Sequence, residues 1–369
     1  MMPTMIRRVT VEDLTIALHE PFGIAGGAQD VARNLLVTIE LADGTRGYGE
    51  AAPFTAFNGD TLAGARAALT QATAHIVGAD VREWRAIAAA LDDACQASGS
   101  ARCALETAVL DALTRHLGLP LWAWFGGAGR QLITDMTITT GTAAAAHAAA
   151  LAVTARGIAT IKLKVGATPL ADDLERVMAV RAAAPGAALI LDGNGGMSAD
   201  HALQLLALLH ERGIVPVLFE QPVPTADLDG LRLVSRLGGV RIAADESASN
   251  VAAVFQIAAT QAAHVVNIKL MKSGIVEALE MVAIARATGL GLMIGGMIES
   301  PLAMTTSACF AAGIGGFGFV DLDTPLFLAE EPLVGGMQYV GATIDLSAIV
   351  AGHGVVPRDA AADHRRAAR

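Results

Sequence analysis

The chain has 369 residues, 53 % of them hydrophobic, which is enough for two domains or for one large barrel with additions. Its formal net charge of −10, with no Lys/Arg-rich block, argues against a nucleic-acid groove or an anionic membrane surface as a partner. The first ten residues carry no apolar segment with a cleavage site, and Cys95, Cys103 and Cys309 lack metal-ligand spacing, so a cytoplasmic protein is expected.

In chain order, 9–18, 35–41 and 46–50 read as strands, with Asp43-Gly44 as a tight turn. Ala/Leu/Val at helical spacing then predicts helices over 61–77, 84–91 and 101–117, giving a small α+β unit. From about residue 130 the pattern becomes regular. Short apolar runs at 136–140, 160–165, 188–192, 217–220, 241–245, 264–269, 291–294 and 319–323 alternate with helix-like segments. That alternation implies a parallel sheet covered by helices, and eight such strands can close a barrel, with a doubly wound open sheet as the rival. Residues 300–320 are uncharged and long enough to resemble a membrane span, but Pro301, Gly313, Gly315, Gly316 and Gly318 exclude a spanning helix. The Gly-x-Gly-x-x-Gly match at 313–318 precedes a strand instead of following one, so it is not read as a dinucleotide site.

Polar residues fall at the strand ends: Lys164, Asp192, Glu220, Asp245, Lys269, Glu299 and Asp323. In a (β/α)8 barrel the chemistry sits there. Lys162 and Lys164 point to the same side of one strand, and such a pair implies something anionic nearby. Asp192, Glu220 and Asp245 are 28 and 25 residues apart, about one β/α unit each, which places three carboxylates together and calls for a cation. Hard oxygen ligands in that number favour Mg²⁺. If Lys164 and Lys269 face each other across the mouth, an amine reaches each face of a bound carbon, so that one removes a proton and the other returns one. Lys272 lies beyond the strand and is read as a surface residue. Abstracting a proton α to a carboxylate needs the enediolate charge to be stabilised, which Mg²⁺ and Lys162 can do.

These residues, together with Gly47-Tyr-Gly-Glu-Ala-Ala-Pro53 and Ala101-Arg-Cys-Ala-Leu-Glu106, make the chain similar to the enolase superfamily, specifically its muconate lactonizing enzyme subgroup. The resemblance implies a modified (β/α)7β TIM barrel over 126–325 with an N-terminal α+β capping domain over 1–125. Residues 326–369 would then return to the cap, the last of them disordered. It further implies Lys164 and Lys269 as paired acid and base, Lys162 as the electrostatic partner of the substrate carboxylate, and Asp192, Glu220 and Asp245 as Mg²⁺ ligands. The mandelate racemase subgroup, expected to use a His-Asp pair on later strands, fits less well.

Asp321-Leu-Asp323 resembles the Asp-x-Asp motif with which dipeptide epimerases hold the free α-ammonium of the substrate. The expected function is therefore Mg²⁺-dependent epimerisation of a small dipeptide at its C-terminal residue. An N-acylamino acid racemase, a cycloisomerase or dehydratase, and a non-catalytic sugar- or metal-binding barrel are the alternatives. Glu299 and the loop residue Ile24 are carried as further substrate-side candidates. The loop Pro21-Phe22-Gly-Ile-Ala-Gly-Gly27 lacks the arginine that Ala-Glu epimerases place there, which argues for a neutral or apolar pocket; Arg33 could compensate only if the loop folds back. Glu20 and Asp30 keep a cationic side chain open as the less favoured variant. The glycines suggest a lid, and a homo-oligomer is compatible with the sequence.

Overall fold

A computed structural model describes residues 2–24 and 27–361. Strands β1 (Ile6–Ile24) and β2 (Gly27–Leu41) form an antiparallel hairpin, and β3 (Arg46–Ala51) adds to β2. Alternation along β2 turns Leu35, Val37, Ile39 and Leu41 to the inside, where the helix Gly99–His116 covers the sheet. That approach requires glycine. A Cβ on Gly49 would lie 1.9 Å from the Ala104 carbonyl oxygen, and one on Gly47 would lie 2.2 Å from that of Ala108.

The hairpin runs further than the sequence suggested. Residues 21–27, expected as a loop, carry ladder pairs at Phe22↔Gln29, Gly23↔Ala28 and Ile24↔Gly27. The register shifts between Ala17 and Phe22, where Leu18 bridges to Leu328 and Ala329 N–H donates to the Ala17 carbonyl at 2.8 Å. Contact with the C-terminal segment thus supports the arm that carries the tip.

A short strand β4 (Gln131–Ile133) leads into eight parallel strands: β5 (Met136–Ile138), β6 (Thr160–Lys164), β7 (Ala188–Asp192), β8 (Leu218–Glu220), β9 (Ile242–Ala244), β10 (Val265–Ile268), β11 (Gly291–Ile294) and β12 (Phe317–Val320). They lie in sequence order with a helix after each of the first seven, the arrangement of a (β/α)7β barrel. The seam between β5 and β12 is closed by Asp135 N–H on the Val320 carbonyl at 3.0 Å and Leu322 N–H on Thr134 Oγ1 at 3.1 Å. The last strand was expected over 319–323 but spans Phe317–Val320. Gly315 and Gly316, both at positive φ, end the preceding helix, and the strand that follows stops at Val320, so Asp321 and Asp323 fall just beyond it. The uncharged segment at 300–320 is this buried helix, Pro301–Ile314, together with β12, and no described helix is long and apolar enough to cross a membrane.

After the barrel, β13 (Leu333–Gly335) pairs with β16 (Val355–Pro357), and β14 (Gln338–Val340) pairs with β15 (Thr343–Asp345), which pairs with β4. His353 N–H on Asp111 Oδ1 at 2.9 Å and Arg115 Nη2 on the Val355 carbonyl at 2.8 Å tie this segment to the long cap helix. The expected disorder at the end of the chain falls on 362–369, outside the described residues.

Two carboxylates join the layers. Glu50, in the middle of the Gly47–Pro53 motif, accepts from Asn34 Nδ2 (2.6 Å), Ser300 N–H (2.9 Å), Ser300 Oγ and Ala303 N–H (3.2 Å), so it caps the helix after β11. Glu106 accepts from Ile275 and Val276 N–H at 2.5 and 2.9 Å, where Gly274 breaks the helix after β10. Truncating Glu50 leaves these buried donors unsatisfied. Glu50→Ala is therefore expected to lower unfolding stability by about 3 kcal/mol in denaturant titrations, at constant slope; a loss under about 1 kcal/mol would show that the cap–barrel joint does not depend on it.

Candidate active site

The period of two along β6 turns Lys162 and Lys164 inward, 1 % and 5 % exposed. Lys162 Nζ lies 2.9 Å from Asp192, 2.7 Å from Glu220 and 2.6 Å from Asp321, while Lys164 Nζ lies 2.7 Å from Asp192. Asp192 and Glu220 are direct register partners on β7 and β8, and Asp245 follows β9. Lys269 follows β10, with Nζ 2.7 Å from Asp245 and 4.3 Å from the centre of the Phe57 ring. β6 and β10 are four strands apart in a ring of eight, so Lys164 and Lys269 come from opposite sides of the mouth.

Lys272 is not at the surface. The first turn after Lys269 folds its side chain back, 2 % exposed, onto Asp245 Oδ1 (2.9 Å), the Asp245 carbonyl (2.7 Å) and the Asn267 carbonyl (2.7 Å). Other residues here were not singled out from the sequence. Gln221, in the left-handed region, accepts Asp245 N–H and Ser247 N–H at 3.0 and 3.1 Å and so fixes the segment after β9. Asn267 Nδ2 donates to Glu220 Oε1 at 2.7 Å, and Asn194 Nδ2 donates to Glu246 Oε1 at 3.2 Å. Asp135, with both oxygens buried, lies at the seam of the first and last strands. The only signal available for Asp135 was an acid inside the apolar run 132–138.

Burial opposes charge throughout this site, and the partners decide the outcome. Asp192 is held below the usual carboxylate range because Lys162 and Lys164 outweigh its burial. Asp245 is likewise held at about 2 by Lys269 and Lys272. Glu220 rises to about 7, since burial and the Asp192 charge exceed the pull of Lys162, and Glu246 rises to about 8 through burial, Asp245 and Asp192. Lys162 and Lys269 are pushed up against their own burial by the carboxylates around them.

The donor set fits Mg²⁺: three carboxylates at adjacent strand ends, two of them keeping an oxygen, Glu220 Oε2 and Asp245 Oδ2, without a directed hydrogen bond. Both oxygens lie 2.7 Å from a lysine Nζ, close enough for ion pairing but outside hydrogen-bond direction. A tighter acidic group, Asp135, Asp321 and Asp323, has oxygens all within 4.8 Å of one another. It lies at the seam between the first and last strands, where Lys162 pairs with Asp321.

Lys164, Lys269, Asp321 and Asp323 line one cleft, with Phe22, Phe54, Phe57, Thr137, Asn194, Met297 and Ile298 among its walls. Glu299 departs from its expected place. It is 1 % exposed, accepts Met297 N–H at 2.7 Å, and supports the 296–298 wall from behind instead of lining the cleft. The Ile24 side chain lies outside the described residues. Glu20, Asp30 and Arg33 are exposed and absent from the described walls; Arg33 pairs with Thr15 well down the hairpin.

Burial, and then the Glu50 charge, raise Glu299 to about 8 despite the opposing Met297 N–H and Lys269. Its folded value exceeds its unfolded one, so its contribution to stability is full below about pH 4.5 and is lost as pH rises towards 8. Glu299→Gln, which mimics the neutral acid, should reduce the fall in Tm between pH 5 and pH 8 by on the order of 2 °C or more in a melting series. Parallel pH curves for the two proteins would exclude this titration.

Residues 6–126 match the family described as mandelate racemase / muconate lactonizing enzyme, N-terminal domain, and 143–361 match enolase C-terminal domain-like. An aromatic dipeptide epimerase of Herpetosiphon aurantiacus is 53 % identical over 96 % of this chain and 99 % of its own length. The structure of a mandelate racemase/muconate lactonizing enzyme from Roseiflexus sp. superposes with a TM-score of 0.92 at 59 % identity, covering 97 % of this chain and 99 % of that one. A dipeptide epimerase from Enterococcus faecalis V583, complexed with Mg and the dipeptide L-Leu-L-Tyr, superposes with a TM-score of 0.91 at 32 % identity, covering 95 % and 99 %. Eight sequential parallel strands under an antiparallel cap, with lysines and carboxylates at their ends, accord with these matches along nearly the whole chain: it belongs to the mandelate racemase/muconate lactonizing enzyme family of the enolase superfamily.

Proposed function

We propose that this protein is an isomerase that epimerises dipeptides at the α-carbon of the C-terminal residue, with Mg²⁺ as cofactor and a preference for aromatic or large apolar side chains there. The observation that carries the reading is one cleft holding Lys164 and Lys269 from opposite strands together with the Asp321–Asp323 pair. A neutral lysine on one face takes the α-proton, and the ammonium of the other returns a proton to the opposite face. The ion pair with Asp245 keeps Lys269 protonated in the arrangement described, which suits the returning role. Lys162, held cationic among carboxylates, adds positive charge beside the substrate carboxylate. Asp192, Glu220 and Asp245 would hold Mg²⁺, which supplies Lewis-acid stabilisation of the enediolate charge.

Asp321 and Asp323 offer carboxylate acceptors suited to a substrate α-ammonium: Lys162 and Thr137 N–H occupy one oxygen of each, and Asp323 Oδ1 keeps free acceptor capacity that such a cation would use. Phe22, Phe54, Phe57, Met297 and Ile298 make an apolar wall, and among the described residues no arginine lines the cleft to receive a glutamate side chain. The relative that acts on aromatic dipeptides and the complex with L-Leu-L-Tyr support the same side-chain class. A cytoplasmic location fits the three buried, unpaired cysteines.

Activity should require divalent metal, with EDTA abolishing turnover and Mg²⁺ restoring it. For L-Ala-L-Phe, kcat/KM is expected to exceed that for L-Ala-L-Glu by about 100-fold, whereas a preference for Ala-Glu would defeat the side-chain assignment. Lys269→Ala should lose epimerisation by about 10³-fold or more, yet still exchange the α-proton of the isomer that faces Lys164 in deuterated water. Wild-type epimerisation by that variant would end the two-lysine reading.

A further inference from the structure

Asp135 stands just before β5, its N–H closing the barrel seam, and its side chain is only 2 % exposed. Neither carboxyl oxygen has a hydrogen-bond partner among the described residues. An oxygen of Asp135 lies within 4.8 Å of carboxylate oxygens from both Asp321 and Asp323. Those two have partners of their own, though incompletely. Asp321 Oδ2 receives Lys162 at 2.6 Å, Asp323 Oδ2 receives Thr137 N–H at 2.6 Å, and Asp323 Oδ1 is left bare.

An ionised carboxylate can only accept, so three ionised acids here would confront one another while Lys162, the ammonium in contact with the group, is already shared among Asp321, Asp192 and Glu220. A neutral acid carries its own donor. We propose that Asp135 is a protonated carboxylic acid that donates its hydrogen to the bare oxygen of Asp323, a positioning residue that orients the Asp321–Asp323 pair for a cationic group in the cleft. One proton thereby serves two orphaned acceptors and lowers the charge of the cluster. The groups facing Asp135 are Asp321, Asp323 and Glu220, which favour its neutral form, and Lys162, which opposes it; Tyr339, itself facing Asp323, has its hydroxyl pushed up by burial and stays neutral. Burial first and then the two aspartates push Asp135 well above the carboxylate range, and Asp323 rises to about 7 through burial and the Asp321 charge.

The proposed consequence for substrate binding rests on the ammonium-binding reading of Asp321 and Asp323, but the protonation state can be measured without any substrate. The infrared difference spectrum of wild type minus Asp135→Asn at pH 7 is expected to contain a protonated-carboxyl C=O band, and its absence would overturn the proposal. In kinetics, Asp135→Asn, which keeps a neutral donor, should retain KM for L-Ala-L-Phe within about 3-fold, whereas Asp135→Leu should raise KM by about 10- to 100-fold with kcat changed far less. If Asp135→Asn, melting like wild type, raises KM as much as Asp135→Leu, the group acts as a charged carboxylate and the proposal fails. Should Asp135→Leu not fold, the spectrum and the Asn variant decide. Should neither protein turn over any dipeptide, the spectrum still decides the proton while the substrate reading falls on its own.

Discussion

The constraint on which the mouth of the barrel depends is that many charges are buried there together, none of which is tolerable alone. Lys162, Lys164, Lys269 and Lys272 interleave with Asp192, Glu220, Asp245 and Asp321, so that each ammonium touches a carboxylate and Asp192 and Asp245 each hold two lysines. An unpaired buried ion costs several kcal/mol, so removing one member exposes the rest of the lattice to that penalty. The strand ends are thereby fixed relative to one another by charge as well as by the ladder. This preorganisation is what proton transfer to and from a carbon requires, because the groups need not rearrange as charge moves.

Much of this was legible in the sequence, because a parallel barrel writes its site into spacing. Acids one β/α unit apart must arrive on neighbouring strands, and alternation must bring Lys162 and Lys164 to one face. What spacing does not encode is where a side chain turns once the strand has ended. Lys272 looked exposed because it lies past the strand, yet the helical turn after Lys269 folds it beneath Asp245. Glu299 looked like another strand-end ligand of the cleft, but the 296–298 segment passes in front of it. Asp135 carried no motif, and its role depends on a seam between residues nearly two hundred apart in the chain. The hairpin tip was hidden for another reason: glycine-rich sequence reads as loop, while the Leu18–Leu328 bridge and the Ala329–Ala17 hydrogen bond, both non-local, support the arm below it.

The motifs in the cap are explained by joints and not by chemistry. Glu50 and Glu106 reach from the cap into the N-termini of two barrel helices, where free N–H groups and the helix dipole favour a carboxylate. The glycines before Glu50 let β3 press against the cap helix, which sets how far Glu50 can reach. Glu106 therefore holds a joint between cap and barrel and is absent from the walls of the cleft.

This division separates reactivity from selectivity. The residues proposed to handle protons all stand on or just past barrel strands, whose geometry is held by ladder and charge. The apolar walls come from elsewhere: Phe22 from the hairpin, Phe54 and Phe57 from the chain after β3, Met297 and Ile298 from the loop after β11. Phe22 packs edge-on against Phe327 with ring centres 5.2 Å apart, so the hairpin and the segment after the barrel define that wall jointly. Phe57 touches both functions, since its ring face lies over Lys269 and favours the charged amine. Changes in the cap can therefore reshape the side-chain pocket without moving the lysine pair, except at Phe57, where a change of wall is also a change in the proton affinity of Lys269.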